Sequence, residues 1–248
     1  MLDFVSTVMI TATIVVCFSL LVSSLNLTIG GRFVAAVALA LWFGLAIALG
    51  SIEAFVDAGR RPVPLTGIMF GSALIAAATL AALWPAARRA LLSAPMPILV
   101  GLHIPRLMGG MFLVLAATGR LEGPFPIFQA FGDMAAAAVA IPCLRIAARP
   151  TTDRDWILRI WNVFGALDLL VAISLAMLST PGSAVQIIHG GVGPEAMQHL
   201  PLALIPSVLA PFWVITHGII FGQLRARASA GLRRAAWSLN DLDGTEAS

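Results

Sequence analysis

The sequence contains no lysine and no tyrosine, and it has only 2 cysteines in 248 residues. Without lysine the chain cannot form a Schiff base with retinal or pyridoxal phosphate. Cys17 and Cys143 both lie inside apolar segments and do not suggest the disulfide framework of a small secreted domain. These absences exclude retinal proteins, pyridoxal enzymes and disulfide-rich domains.

Charge is also scarce. Charged residues make up 11% of the chain, hydrophobic residues make up 59%, and the mean hydropathy is +0.95. This composition is too apolar for the surface of a water-soluble domain and indicates a polytopic membrane protein. The pI of about 10.0 does not point to nucleic acid, because cytoplasmic loops of membrane proteins carry surplus basic residues. We therefore expect the lipid bilayer, and no nucleic acid, as a partner.

The long apolar segments predict an all-α fold, a bundle of seven transmembrane helices. A helix needs about 20 apolar residues to cross a hydrocarbon core about 30 Å thick. The segments are too long and too uniform for half-exposed strands. The windows, which we number as the first to seventh spans, are 5–25, 34–56, 65–84, 97–118, 126–147, 157–178 and 201–222.

The positions of the arginines predict the orientation. An N-terminus on the outside leaves only Arg60, Arg61 and Arg120 in outer loops. Eleven arginines then lie on the inner side: Arg32, Arg88, Arg89, Arg145, Arg149, Arg154, Arg159, Arg225, Arg227, Arg233 and Arg234. This bias predicts an outside N-terminus and a cytoplasmic C-terminus. We read the first span as a retained helix, because only Asp3, and no basic residue, precedes it.

The chain after the seventh span is predicted to be a cytoplasmic tail, residues 223–248, distinct from the transmembrane domain of residues 1–222. One flank of the tail carries Leu224, Ala228, Leu232 and Trp237, with arginines nearby. This pattern is typical of an interfacial helix held by anionic lipid. The end of the tail is acidic, with Asp241, Asp243 and Glu246.

One arginine, Arg106, falls in the middle of the fourth span. An unpaired charge at that depth costs from about 3 to more than about 10 kcal/mol, so acidic partners are expected. A rise of about 1.5 Å per residue places Arg106 at about 14 Å from the inner side, Asp168 at about 17 Å and Asp133 at about 20 Å. An extended arginine can bridge this spread. The sequence therefore predicts one buried ion cluster made by the fourth, fifth and sixth spans.

The same count places His103, Asn162 and His217 in a second, lower polar layer, at roughly 7 to 9 Å. Gln129 lies four residues before Asp133 and shares its helix face. Asn162 and Asp168 diverge by about 120° around their helix and cannot both point straight at one site. The predicted ligand-binding residues are Arg106, Asp133, Asp168, Gln129, Asn162, His103 and His217, and no catalytic residue is predicted.

Prolines interrupt the fourth and seventh spans, at Pro105 and at Pro201, Pro206 and Pro211. Each proline inside a helix removes one backbone hydrogen bond and bends the chain. Membrane helices tolerate such bends where neighbouring groups or water satisfy the freed carbonyls. We expect these bends to shape a cavity beside the charged cluster.

Several short motifs in this region look familiar. Arg106-x-x-Gly109, Gly132-Asp133, Asn162-x-x-Gly165-x-x-Asp168 and the run from Leu200-Pro201 through Pro211 to His217 resemble a group of bacterial seven-helix membrane proteins without a known activity. The resemblance covers roughly residues 100 to 220. It implies a location in the bacterial cytoplasmic (inner) membrane and brings no mechanism with it.

The preferred hypothesis is that the buried polar site binds or translocates a small polar solute or protons, since charges inside a membrane often mark such pathways. One alternative is a haem- or metal-binding protein that uses His103 and His217, which lie at similar depth on different helices. Another is a purely structural ion cluster in a scaffold or receptor-like protein. An enzyme is disfavoured, because no serine lies in a recognisable nucleophile motif and the histidine spacing does not fit a hydrolase.

Overall fold

The structure, a computed structural model, describes residues 1–56, 61–149, 153–189 and 193–245, with side chains up to residue 230. Every regular element in these ranges is helical. Seven helices are long and apolar enough to cross a membrane: Leu2–Ser24, Ile29–Ser51, Leu65–Leu83, Met96–Ala117, Phe125–Ala147, Asp155–Leu178 and Ile205–Ala230. The all-helical seven-span architecture predicted from hydropathy is confirmed, and it indicates a multi-pass membrane protein.

The second span begins and ends five residues before its predicted window of 34–56. It begins at Ile29, because the side chain of Thr28 caps it by accepting a hydrogen bond from the Gly31 backbone N–H at 3.1 Å. It ends at Ser51, and Glu53 follows in a turn with a φ of 55°. The glycine pair at 30–31 therefore lies inside the helix and does not precede it.

A short helix, Pro85–Leu92, lies between the third and fourth spans. Hydropathy alone did not predict this helix, because it has only eight residues and carries two adjacent arginines, Arg88 and Arg89. Its strongly amphipathic pattern is that of a helix lying in the membrane interface.

The fourth and seventh spans are interrupted where their prolines lie. The fourth consists of an α-helix, Met96–Gly101, a 3₁₀ segment, Ile104–Gly109, and a second α-helix, Gly110–Ala117. The seventh opens with a π-helical turn, Ile205–Leu209, and continues as the α-helix Ala210–Thr245. Pro105 and Pro206 lie in these irregular segments, as expected for residues that cannot donate a backbone hydrogen bond.

The last helix passes the predicted boundary at residue 222 without a break. Ala228 is the last residue of the predicted apolar flank whose side chain the structure describes. Leu232, Trp237 and the acidic residues Asp241, Asp243 and Glu246 lie outside the described side chains. The division into a transmembrane domain and a lipid-held tail therefore stays a prediction.

The seventh span is the centre of the bundle. In its most apolar stretch 72% of the residues are buried, against 50% in the fourth span and 11% in the second and third. The fourth and seventh spans therefore lie deepest in the bundle, and the second and third spans pack at its edge. The seven predicted site residues all lie in the fourth to seventh spans, and every one except Asp168 is buried.

Candidate functional site

Arg106 is held by two carboxylates from neighbouring spans. It lies in the 3₁₀ segment of the fourth span, and its side chain is 0% exposed. Its Nε donates to Oδ1 of Asp133 at 2.7 Å, and its Nη2 donates to Oδ2 of Asp168 at 2.6 Å. The ion cluster predicted from the depth count is present, with one residue from each of three consecutive spans.

The sixth and seventh spans supply two further acceptors. Nη1 of Arg106 donates to the carbonyl oxygen of Gly165 at 3.2 Å and to Nε2 of His217 at 3.1 Å. Because a guanidinium can only donate, Nε2 of His217 carries no proton. Arg106 therefore contacts His217, a member of the predicted lower layer, because an arginine side chain is long enough to join two depths.

Asn162 fixes the other side of the His217 ring. Nδ1 of His217 lies 2.8 Å from Oδ1 of Asn162, and the Asn162 amide donates to the His217 carbonyl oxygen at 3.0 Å. With Nε2 acting as an acceptor, the ring proton resides on Nδ1 and is donated to Asn162. Asn162 thus reaches Arg106 only through His217, whereas Asp168 reaches it directly, consistent with the divergence of about 120° between them.

Gln129 completes the coordination of Asp133. Its side-chain amide donates to Oδ2 of Asp133, one helical turn further along the fifth span. Both oxygens of Asp133 are therefore occupied, one by Arg106 and one by Gln129.

His103 stacks against His217 and does not join the arginine cluster directly. The ring centroids are 3.9 Å apart and the ring planes meet at 29°. Nε2 of His103 lies 3.1 Å from the Thr216 hydroxyl, whose single proton is donated to the carbonyl oxygen of Trp213. His103 therefore donates from Nε2, and its buried Nδ1 has no hydrogen-bond partner within the described residues.

This geometry does not form the axial haem pair or the zinc ligands that the sequence allows for. Two axial ligands must aim a nitrogen at the metal from opposite sides, whereas His103 and His217 meet face to face. Both nitrogens of His217 also have partners, Arg106 and Asn162. Among the described residues, no group of three or more His, Cys, Asp or Glu side chains could hold a metal ion.

Three glycines permit the close packing of the site. A β-carbon on Gly109 would lie 2.5 Å from Cβ of Asp133, and one on Gly132 would lie 1.5 Å from Oδ1 of Asp168. A β-carbon on Gly165 would lie 2.7 Å from Nε2 of His217. These glycines are not among the predicted site residues, although each lies in a motif beside Arg106, Asp133 or Asp168.

Two tryptophans enclose the centre and were also missed. The ring centroid of Trp213 lies 5.9 Å from Cζ of Arg106, within the range of a cation–π contact. Trp161 meets His103 edge to face at 5.3 Å, and its indole N–H donates to the Ala136 carbonyl oxygen at 2.8 Å. Their depth in the core could have suggested a role, but tryptophan is too common in membrane helices for the sequence to distinguish them.

Two spaces adjoin the cluster. A cavity of about 40 Å³ is lined by Gln129 and Trp213 and by Gln198 of the segment that precedes the seventh span. A groove of about 540 Å³ runs between the fifth and sixth spans, and its lining includes Gly132 and Asp168. The cluster therefore adjoins an inner cavity on its Gln129 side and the outer surface of the bundle on its Asp168 side.

Taken together, the apolar helices and the buried Arg, Asp and His residues define a multi-pass membrane protein with an ionisable centre inside its helix bundle. The chain belongs to the family described as Domain of unknown function (DUF8737), whose model matches residues 63–225. No curated protein and no solved structure matches the chain. The predicted resemblance to a family without an assigned activity is confirmed, and the matched segment contains all seven predicted site residues.

Proposed function

We propose that the protein binds protons at the cluster of Arg106, Asp133 and Asp168 and passes them across the membrane by way of the two carboxylates. We further propose that it lies in the bacterial cytoplasmic membrane, with its N-terminus outside and its C-terminus in the cytoplasm. The orientation rests on the excess of arginine in alternate loops, and the membrane rests on the family resemblance.

The observation that carries the proposal is the charge imbalance of the cluster. Two carboxylates contact one guanidinium, and His217 faces that guanidinium with an unprotonated nitrogen. If both carboxylates are ionised, one negative charge remains without a counterion among these groups. Leaving a net charge in a low-dielectric core costs several kcal/mol, so the cluster favours the uptake of one proton.

Proton transfer also requires neighbouring groups that accept and donate. Asp133 and Asp168 can accept and release a proton, and Arg106, which can only donate, contacts both of them. Aspartate and histidine side chains inside membranes are the usual members of proton relays. The arginine keeps the two acids close together, the acids hold the proton, and His217 accepts a hydrogen bond from Arg106.

The size of the inner cavity favours protons over a polar solute. A cavity must have a volume of at least about 10 to 15 Å³ to hold one water molecule, whereas pockets for small molecules span about 300 to 1,000 Å³. The cavity beside Gln129 has about 40 Å³, which suits water and no larger molecule. Water at this position would extend the hydrogen bonding from Gln129 towards the segment before the seventh span.

The test is proton flux in liposomes that contain the purified protein and a pH-sensitive dye, driven by a potassium diffusion potential. We expect flux from the wild-type protein and loss of flux in Asp133→Asn, which removes the carboxylate and keeps the side-chain size. Asp3→Asn is the matched control, because Asp3 is an exposed acid that pairs with Arg120 at 2.6 Å, remote from the cluster.

A second measurement needs no variant and does not depend on the folding of Asp133→Asn. Dicyclohexylcarbodiimide reacts with protonated carboxyl groups from the apolar phase, so it should block wild-type flux. Flux that is absent from the wild-type protein, or that persists both in folded Asp133→Asn and after the reagent, would contradict the proposal. The cluster would then be a structural tie between helices.

A further inference from the structure

Asp168 differs from the other charged members of the centre because it is partly open. Its side chain is 11% exposed, against 3% for Asp133 and 0% for Arg106. Oδ2 pairs with Arg106, and no hydrogen bond within the described residues engages Oδ1. The cluster therefore presents one carboxylate oxygen at the edge of the bundle.

The groove beside Asp168 has the form of a binding site that opens towards lipid. It lies between the fifth and sixth spans and has a volume of about 540 Å³. The rings of Phe128, Phe131 and Phe164 line it and are exposed on the surface of the apolar helices. Gly132 keeps the carboxylate accessible, since any side chain there would occupy the position of Oδ1.

We propose that this groove binds lipid-soluble organic cations, which enter from the bilayer and place their positive charge against Asp168. The inference rests on the proposed proton-binding site and names a second substance that the site would bind. The apolar lining fits the body of such a molecule, and aromatic faces attract cations. The carboxylate supplies the opposite charge, which is the surplus negative charge of the cluster.

The binding step is an exchange of one positive charge for another. The acid pair holds one proton before the cation arrives. When the cation pairs with the carboxylate of Asp168, that proton leaves for water, so one cation bound corresponds to one proton released. The total charge of the centre is unchanged, and no charge is left unpaired in the apolar core.

The same geometry disfavours anions. Arg106 is buried behind the two carboxylates, which occupy its Nε and one N–H of its Nη2. An anion that enters the groove therefore meets the oxygen of Asp168 first. An anion bound there would add an uncompensated negative charge to a centre that is neutral with one proton bound, and the low dielectric of the bilayer makes such a charge costly.

Two probes of equal shape and opposite charge test this. Radiolabelled tetraphenylphosphonium and tetraphenylborate are equilibrated with the protein in nanodiscs of zwitterionic lipid, and binding to empty nanodiscs is subtracted. We expect saturable binding of the cation with one site per protein and no saturable binding of the anion. In weakly buffered solution, a pH indicator should report one proton released per cation bound.

Two variants remove the site in different ways. Asp168→Asn removes the charge, and Gly132→Ala fills the opening; each should weaken cation binding by at least about tenfold. The matched controls are Phe33→Ala, an exposed phenylalanine on the second span, and Gly71→Ala, whose new β-carbon meets no atom within 4 Å. Phe131→Ala, within the groove, should weaken binding, whereas both controls should leave it unchanged.

The outcomes separate this inference from the proposed function. Equal binding of cation and anion, or cation binding that persists in Asp168→Asn, would overturn the inference. If proton flux is present and the cation does not bind, the groove is not a cation site and the proton pathway stands. If the cation binds and displaces a proton but no proton flux is seen, the site binds protons without passing them across the membrane. The proposed proton translocation is then wrong, and the cation site stands.

Discussion

Gly165 and His217 meet so closely that a β-carbon on the glycine would lie 2.7 Å from Nε2 of the histidine. The same β-carbon would lie 3.2 Å from Nη1 of Arg106. The sixth span therefore approaches the centre with its bare backbone, and its carbonyl oxygen at Gly165 accepts from Arg106. This contact sets the position of both the arginine and the histidine.

Gly165→Ala should therefore displace the His217 ring and destabilise the bundle. Overpacking a core typically costs about 1 to 3 kcal/mol, and here the neighbours are rigid groups held by hydrogen bonds. The melting temperature of the purified protein in detergent should fall clearly. Gly71→Ala is the control and should melt at or slightly above the wild-type temperature, because it adds a methyl group in open space inside a helix.

Arg106→Met should destabilise the protein far more than the small change in side-chain size suggests. Removing the guanidinium leaves Asp133 and Asp168 buried without their counterion, and breaking a buried ion pair typically costs about 3 to 5 kcal/mol. The triple variant with Asp133→Asn and Asp168→Asn should recover much of the lost melting temperature, because it removes the unpaired charges. A triple variant no more stable than Arg106→Met would show that packing, and not charge, holds these helices together.

The hydrogen bonds assign opposite tautomers to the two stacked histidines. His217 should carry its proton on Nδ1 and His103 on Nε2. Solid-state nitrogen NMR of histidine-labelled protein distinguishes the two tautomers directly. Replacing His189 and His199 by glutamine leaves only these two signals, since the chain has 4 histidines. A protonated Nε2 on His217 would contradict the donation from Arg106.

The orientation can be tested with single introduced cysteines. Cys17 and Cys143 are both buried, so a membrane-impermeant thiol reagent should leave the wild-type protein unlabelled. Thr118→Cys, in an exposed turn after the fourth span, should be labelled from outside intact cells. Ser229→Cys, near the end of the seventh span, should be labelled only after the cells are opened. The reverse pattern would invert the proposed topology.

Hydropathy predicted the number of spans well, whereas the interruptions within them were harder to place. The apolar criterion could not find Pro85–Leu92, which is too short and too charged to count as a span. The prolines indicated that the fourth and seventh spans are bent. They did not indicate that the residues around Arg106 form a 3₁₀ segment or that Ile205–Leu209 forms a π-helical turn, because proline alone does not select between these conformations.

The sequence by itself determined that Arg106 must meet Asp133 and Asp168, since the depth of a residue along a helix follows from counting and the cost of a buried charge follows from depth. Only the tertiary structure decided that His217 also contacts Arg106, that His103 stacks on His217, and that Asp168 faces a groove. These contacts depend on the rotation and spacing of the helices, which glycine contacts and the 3₁₀ segment set. The rise per residue gives only the depth of a residue along its own helix. It does not give the rotation or the spacing of the helices, because these are set by the packing of one helix against another.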